Sequence, residues 1–316
     1  MALNGLRTAL TIWVRQFFSS PTTLPPLHTP YLSPHTPYLS PRPSPGPRPP
    51  APGPHPPKFK QYQGESNCLQ HADYACLLAA HSDDWQASFQ HDADGRFFVV
   101  QLHAWNASTD PTNVYFNEAV APQRLAQARG VAASPGAVLA TAIDGGDPLA
   151  PATSIHPRSK QLPGRRLAQA ILARRFGLPV AYAAPRFASA AASAAGAALT
   201  LRVALAPSAG APPQRLEWRA PSAASNSTRC PTDLGVLPLM CAGFEIMLSD
   251  APFPNGTWIP AAAAIDAAGT GLVLSATAPR AGLAAAGSRN GWGAWPLVNA
   301  YATEGDLPVL PWLEPV

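Results

Sequence analysis

The sequence predicts an α/β fold followed by a smaller β-rich unit, and three observations lead to this prediction. Between residues 59 and 180, apolar β-leaning runs alternate with helical patterns, which is typical of a parallel sheet with helices on both faces. Residues 181–316 hold an Ala-rich insertion and then short strand-like runs separated by turns. Residues 1–58 are rich in proline and show neither pattern, so we expect a separate leader there.

The Pro-rich leader is predicted to be disordered. Of the 37 residues from Pro21 to Pro57, 16 are proline, and His28–Pro34 is repeated without change as His35–Pro41. Such a segment has few amide donors and little apolar surface to bury. It could bind a proline-reading module as an extended helix, or it could have no function of its own.

The positive net charge belongs to this leader. The chain has a formal net charge of +4, but its first 60 residues carry six basic residues and no acidic one, which leaves 16 basic against 18 acidic residues. No folded basic surface is therefore predicted, and we expect no nucleic-acid partner. No apolar run is long enough to cross a membrane. Met1–Thr23 resembles a secretory signal about as well as an organelle transit peptide.

The α/β part is predicted from hydrophobic periodicity. The last helix of this part, over Lys160–Phe176, is expected to bury Leu167, Ile171, Leu172 and Phe176, and Gly177 should end it. The predicted elements, in order, are a helix over Leu69–Phe89, a strand over Phe97–Leu102, a helix over Gln123–Val131, a strand over Val138–Ile143 and a helix over Lys160–Phe176.

The β-rich unit is predicted from short strand-like runs, with turn residues such as Asn255-Gly256 between them. Its tryptophans could stack on a ligand ring or pack in the core, and packing is the preferred interpretation for Trp292, Trp295 and Trp312. The predicted strands are Ala198–Leu205, Arg215–Trp218, Gly243–Leu248 and Gly271–Ala276.

His156 is the first candidate for chemistry. The strand ending at Ile143 is followed by Asp144 and Asp147, and His156 stands just before the next helix. Loops at the carboxyl ends of parallel strands often hold active sites, and a catalytic imidazole needs a carboxylate to fix its tautomer. The alternative is a loop histidine without a function.

The cysteines and sequons bear on compartment and metals. Cys68, Cys76, Cys230 and Cys241 fit no zinc spacing, so no metal or cofactor is predicted. Cys68 and Cys76 lie too far apart along one predicted helix to form a disulfide, whereas Cys230 and Cys241 could bridge. Glycosylation acceptors occur at Asn106, Asn226 and Asn255 if the chain is secreted.

Several ordered motifs together resemble the sialate O-acetylesterases of the SGNH hydrolase superfamily, from about Gln61 to the end of the chain. A wider Ala- and Pro-rich stretch at Ala188–Pro213 interrupts the likeness. The motifs are Tyr62-Gln-Gly-Glu-Ser-Asn67, Phe98-Val-Val-Gln-Leu102, Ile143-Asp-Gly-Gly-Asp147, Ile155-His-Pro-Arg-Ser-Lys-Gln161, Gly164-Arg-Arg-Leu-Ala168, Gly291-Trp-Gly-Ala-Trp295-Pro-Leu-Val-Asn299 and Leu307-Pro-Val-Leu-Pro-Trp312.

The resemblance implies removal of O-acetyl groups from sialic acid or a related sugar, with His156 as the base. Asp144, Asp147 and Glu65 are the candidates to orient it, because Thr153 occupies the position three residues earlier where many superfamily members have the acid. Gly64 and Asn67 match the oxyanion donors, unless Gly64 is only a turn glycine and Asn67 a helix cap. The family and the sequons favour a secreted or lysosome-like compartment.

The sequence departs from the family at the nucleophile. The family's Gly-Gln-Ser-Asn block does not occur, and Pro54–Lys60 replaces the strand expected before Tyr62. We therefore expect the chain to hold only the later part of such an esterase. Ser66, in a Gly-Glu-Ser-Asn context, is the rival nucleophile, but polyproline precedes it where a strand is needed.

Overall fold

The structure is a computed structural model that describes residues 59–88, 97–106, 114–151, 153–207, 214–222 and 225–316. The Pro-rich leader lies outside these residues, so its predicted disorder and its proline-reading partner stay predictions. Within the described residues, no helix is long and apolar enough to cross a membrane.

A parallel sheet of three strands lies at the start of the described chain, in the order β1 (Phe59–Gln61), β2 (Phe97–Gln101) and β3 (Ala137–Thr141). All five residues of β2 are buried, which confirms the predicted interior strand. The expectation that no strand precedes Tyr62 is wrong, because β1 pairs with β2 through Phe59, Lys60 and Gln61. Among the described strands β1 pairs with β2 alone, and it begins after Pro57, so the prolines do not interrupt its ladder.

Helices cover both faces of this sheet. They are α1 (His71–Ser88), α2 (Val114–Ala133) and α3 (Gln161–Phe176). Phe97 and Val99 pack with Tyr74 and Leu78 of α1 on one face. Phe98 points to the opposite face, where it packs near Ala170 of α3, because successive side chains of a strand alternate. The mixed α/β architecture therefore agrees with the prediction.

Helix α3 ends as predicted, and Leu167 and Ile171 pack against the sheet as expected, but the other two predicted residues do not. Gly177 has φ +63°, and its N–H donates to the carbonyl oxygen of Ala173 at 3.1 Å. Leu172 and Phe176 were predicted to be buried, yet they are 37% and 52% exposed. The helix approaches the sheet closely through the small side chain of Ala170, which turns those larger residues towards solvent.

Helix α2 is longer than predicted, because it begins at Val114 and continues through Pro122. A proline inside a helix removes one donor, yet this helix continues through it, so the predicted start at Gln123 is too late. The first predicted helix is also split, with a 3-10 helix over Glu65–Gln70 before α1.

The C-terminal half is a β-rich unit, and the four predicted strands are all present. Its strands are β4 (Arg186–Ala195), β5 (Ala198–Ala206), β6 (Leu216–Trp218), β7 (Cys241–Ala242), β8 (Phe244–Leu248), β9 (Trp258–Pro260), β10 (Ala262–Ile265), β11 (Gly271–Thr277), β12 (Ala285–Asn290), β13 (Trp295–Pro296), β14 (Ala300–Ala302), β15 (Leu307–Pro308) and β16 (Trp312–Pro315). Two antiparallel four-stranded sheets, in the orders β10-β11-β5-β4 and β16-β12-β8-β9, share one apolar core. The Ala-rich stretch forms the β4–β5 hairpin.

Trp295 and Trp312 belong to the core, as preferred from the sequence, since they are 0% and 2% exposed. A disulfide joins Cys230 and Cys241, while Cys68 and Cys76 are free. Both cysteine predictions are therefore confirmed.

Candidate active site

Three candidate segments meet at one edge of the parallel sheet. Tyr62–Glu65 follows β1, His103 follows β2 by two residues, and Asp144 follows β3 by three residues. The carboxyl ends of parallel strands lie at the same edge, and this is where α/β folds bind ligands.

Gly64 makes the turn from β1 into the 3-10 helix. Its φ is +142°, and a Cβ atom there would approach Gln123 Nε2 to 3.0 Å, Gln127 Nε2 to 3.1 Å and the Tyr74 hydroxyl to 3.3 Å. Glycine is therefore required by both backbone conformation and space. The turn interpretation of Gly64 accounts for its geometry, and its role as an oxyanion donor stays a prediction.

Gln123 is a buried amide beside this turn. Its side chain is 0% exposed, and neither of its polar atoms has a hydrogen-bond partner among the described residues. Gln127, one helical turn later, is fully bonded: it donates to the carbonyl oxygen of Gln63 at 2.9 Å and accepts from the N–H of Leu102 at 2.9 Å. Such an unpaired buried amide is uncommon in folded proteins.

Asn67 lies inside the 3-10 helix, so it is not the helix cap; Gly64 holds that position. The Asn67 amide nitrogen donates to Gln70 Oε1 at 3.1 Å, and its oxygen accepts from Gln63. The bond to Gln70 uses one of the two amide hydrogens, and the predicted oxyanion role of Asn67 stays a prediction. Ser66 is exposed on the same helix, and β1 supplies the preceding strand that this rival nucleophile appeared to lack.

Asp144 is held in a buried ion pair. Arg166 of α3 donates to both of its oxygens, at 2.5 and 2.8 Å, and the Tyr301 hydroxyl donates to one of them at 3.0 Å. The Arg166 and Asp144 side chains are 0% and 8% exposed. The Asp144 carboxylate therefore connects α3 to the β-rich unit through these hydrogen bonds.

Asp147 is bound by Arg158, whose guanidinium donates to its two oxygens at 2.7 and 2.9 Å and whose backbone N–H donates at 3.1 Å. These bonds to Arg158 lower the pKa of Asp147. The loop before it is tightly packed, because a Cβ atom on Gly146 would lie 2.7 Å from Trp295. Two of the three candidate acids thus have arginine partners.

Glu65 is the carboxylate with an electrostatic link to His156. Burial raises the pKa of Glu65, while the backbone amides of Glu65 and Gly64 and the charges of His156 and Lys160 act in the opposite direction. The acid after β1 and the histidine before α3 are therefore close enough in space for their charges to interact.

His156 itself is exposed at the end of a tight turn. Its backbone N–H donates to the carbonyl oxygen of Thr153 at 3.0 Å. Thr153 has φ +70°, which β-branched residues rarely adopt, and such backbone strain concentrates at functional sites. Thr153 thus shapes the turn at the position where many SGNH superfamily members have the acid that orients the histidine.

His103 and Tyr62 join the loops and were not found from the sequence. His103 is 1% exposed, its Nε2 lies 3.2 Å from the carbonyl oxygen of Ser154, and its Nδ1 lies 2.8 Å from the Tyr62 hydroxyl. A carbonyl only accepts, so Nε2 carries the proton and Nδ1 accepts from Tyr62. Burial lowers the pKa of His103 to about 3, which keeps the ring neutral.

This neutral ring connects the segment that carries Glu65 to the loop that carries His156. Lys160 lies over the ring of Tyr62, with its Nζ 5.1 Å from the ring centre. Burial, together with the nearby Glu65, raises the pKa of Tyr62, so its hydroxyl keeps its proton and continues to donate.

Arg124 of α2 connects the loop after β2 to residues 293–294 of the β-rich unit. It is fully buried and donates to the carbonyl oxygens of Leu102, His103, Gly293 and Ala294, at 2.7 to 3.0 Å. Burial lowers the pKa of Arg124 to about 9. Because every partner is a backbone carbonyl, no side-chain pattern in the sequence predicts this contact.

Comparison with solved structures identifies a similar fold. The chain resembles the crystal structure of a novel carbohydrate acetylesterase from Xanthomonas citri, with 26% sequence identity and a TM-score of 0.57. The match supports a carbohydrate-esterase fold. It covers 81% of this chain and 49% of that one, so the chain spans about half the length of the solved protein. No family model and no curated protein sequence matches.

Proposed function

We propose that this chain is part of a carbohydrate esterase that removes O-acetyl groups from sialic acid or a related acetylated sugar by serine-type acyl transfer. The fold of the Xanthomonas citri carbohydrate acetylesterase and the ordered SGNH-type motifs support this proposal. The observation that carries it is the fold shared with that acetylesterase over 81% of this chain. Within the site, Glu65 is proposed as the acid that orients His156, because Asp144 and Asp147 bind arginines and the charge of His156 acts on Glu65.

In this mechanism a serine hydroxyl attacks the acetyl carbonyl, and His156 takes the hydroxyl proton. The imidazolium then gives that proton to the departing sugar oxygen, which leaves an acetylated serine for water to hydrolyse. Glu65 fixes the imidazole tautomer and stabilises its charge. The second amide hydrogen of Asn67 donates to the developing oxyanion, and the Gly64 N–H joins it when it turns from the Glu65 carboxylate.

The serine is supplied, in this proposal, by a segment with the Gly-Gln-Ser-Asn block, which this sequence does not contain. Ser66 is the rival nucleophile, supported by β1 in front of it. The absence of the block also favours a second candidate, a catalytically inactive glycan-binding module. The disulfide between Cys230 and Cys241 supports a secreted or lysosome-like compartment for either.

The Glu65–His156 pairing is tested without activity. Carbon-13 NMR of the Glu65 carboxyl group gives its pKa in the wild type and in His156→Ala. Loss of the positive charge should raise the pKa of Glu65 further, because that charge favours the carboxylate. His81→Ala, a change on α1, should leave the pKa of Glu65 where it is. An equal pKa of Glu65 in His156→Ala and in the wild type would contradict the pairing of Glu65 with His156.

Activity decides among the candidates. The chain alone should hydrolyse p-nitrophenyl acetate no faster than His156→Ala, and fusion to a serine-bearing segment should create a His156-dependent rate. In the fusion, Glu65→Gln should lower kcat by about 10⁴-fold, as loss of an orienting acid does. Asp147→Asn serves as the matched control and should keep kcat. Turnover by the unfused chain that Ser66→Ala abolishes would identify Ser66 as the nucleophile, and an inactive fusion would favour the binding module.

A further inference from the structure

A cavity separate from the His156 loop lies between the end of the 3-10 helix over Glu65–Gln70 and the β-rich unit. Its volume is 560 Å³, within the range of about 300–1,000 Å³ that small-molecule sites occupy. Leu69 and Leu239 stand in its wall and are 47% and 54% exposed. The side chains that give it chemical character are Trp292, Arg289, Glu245, Glu118 and His71.

Trp292 combines an aromatic wall with polar neighbours that are already fixed. Arg289 donates to both Glu245 oxygens at 2.7 and 2.9 Å, and its guanidinium carbon lies 5.8 Å from the centre of the Trp292 ring. The same guanidinium stacks on Trp258 at 4.3 Å, so it is held from two sides. An apolar ring face beside oriented donors and acceptors suits a sugar, which has apolar C–H faces and hydroxyl edges.

The charges of the cavity select among sugars. Glu118 and Glu245 contribute two carboxylates, His71 contributes an imidazole, and Arg289 contributes one guanidinium that is already paired with Glu245. A sugar carboxylate would meet the excess negative charge of Glu118 without a free arginine among these lining groups. A neutral pyranose, whose hydroxyls both donate and accept, avoids that repulsion.

The cavity also lies close to the candidate active site. Leu69 in its wall and the candidate acid Glu65 belong to the same 3-10 helix, four residues apart. With a rise of about 2 Å per residue, their backbones are separated by about 8 Å along the helix axis. This is the scale of one or two sugar rings.

We propose that this cavity is a second carbohydrate subsite, which binds a neutral pyranose of the glycan through Trp292 and the Arg289–Glu245 pair. The site would make the substrate an acetylated glycan longer than one sugar, and that extension rests on the proposed esterase function. Binding of the neutral sugar itself needs neither the serine nor an acetyl group, so it can fail or succeed independently.

The test is an NMR titration of the full chain with lactose, a neutral disaccharide, up to roughly 100 mM, where a Kd in the millimolar range is readily measured. The indole N–H signal of Trp292 is assigned by its disappearance in Trp292→Phe. We expect lactose to shift this signal in a saturable way. No shift over that range overturns the subsite, while an active serine fusion in the same case would leave the esterase proposal standing.

Variants and a second ligand sharpen the result. Trp292→Ala should weaken lactose binding about tenfold, whereas Trp292→Phe should keep most of it because a ring remains. Trp218→Ala removes a half-exposed tryptophan that stacks on Phe244 outside the cavity, and it should bind lactose like the wild type. Equal binding by Trp292→Ala overturns the role of the ring. Binding of N-acetylneuraminic acid as tight as that of lactose overturns the selection of neutral sugars.

Discussion

Replacement of Asp144 by asparagine should destabilise the protein severely, because it removes the carboxylate that pairs with the buried Arg166 guanidinium. Arg166 is 0% exposed at its side chain, and Asp144 accepts two of its hydrogen bonds. Removing one partner of a buried ion pair costs about 3–5 kcal/mol. For a chain of this size, that loss corresponds to a fall in Tm of roughly 10 °C.

Urea unfolding at neutral pH, followed by circular dichroism, measures this loss directly. Asp147→Asn is the matched control, because its partner Arg158 is exposed, and it should unfold with the wild type. The double variant Asp144→Leu/Arg166→Met should recover part of the loss, since it removes both buried charges together. A cost below about 1 kcal/mol for Asp144→Asn would refute the bonding role and return Asp144 to the candidate orienting acids.

Two further predictions concern buried polar groups at the sheet edge. Below pH 6.5 the unfolded His103 imidazole binds a proton that the folded one, with its pKa of about 3, does not, so the free energy of unfolding should fall by up to about 1.4 kcal/mol per pH unit. Urea unfolding at pH values from roughly 4 to 7 measures this effect. The difference in free energy of unfolding between wild type and His103→Gln should shrink as the pH falls. A constant difference would mean that His103 takes up a proton in the folded protein. Gln123→Met should raise the free energy of unfolding by about 1 kcal/mol, because it removes a buried amide that has no partner among the described residues. A loss of stability instead would reveal a partner for that amide.

The cost of Asp144→Asn depends on contacts that local sequence patterns do not contain. Arg166 follows Asp144 by 22 residues, and Tyr301 follows it by 157. From the sequence, Asp144 and Asp147 were the candidates to orient His156, and Glu65 was the third. The folded chain gives the three carboxylates different surroundings, because it brings an arginine to each of the two aspartates and brings the charge of His156 to act on Glu65.

The sequence by itself determined what periodicity and turn chemistry encode locally. The strands at Phe97–Gln101 and Ala137–Thr141 follow from short apolar runs, and the end of α3 follows from a glycine that tolerates positive φ. Tertiary structure alone decided that β1 forms, because its ladder requires β2, and that His103 joins Tyr62 to Ser154. A lone histidine after a strand shows no pattern, since its partners lie 41 and 51 residues away and its neutral state depends on burial that only packing produces.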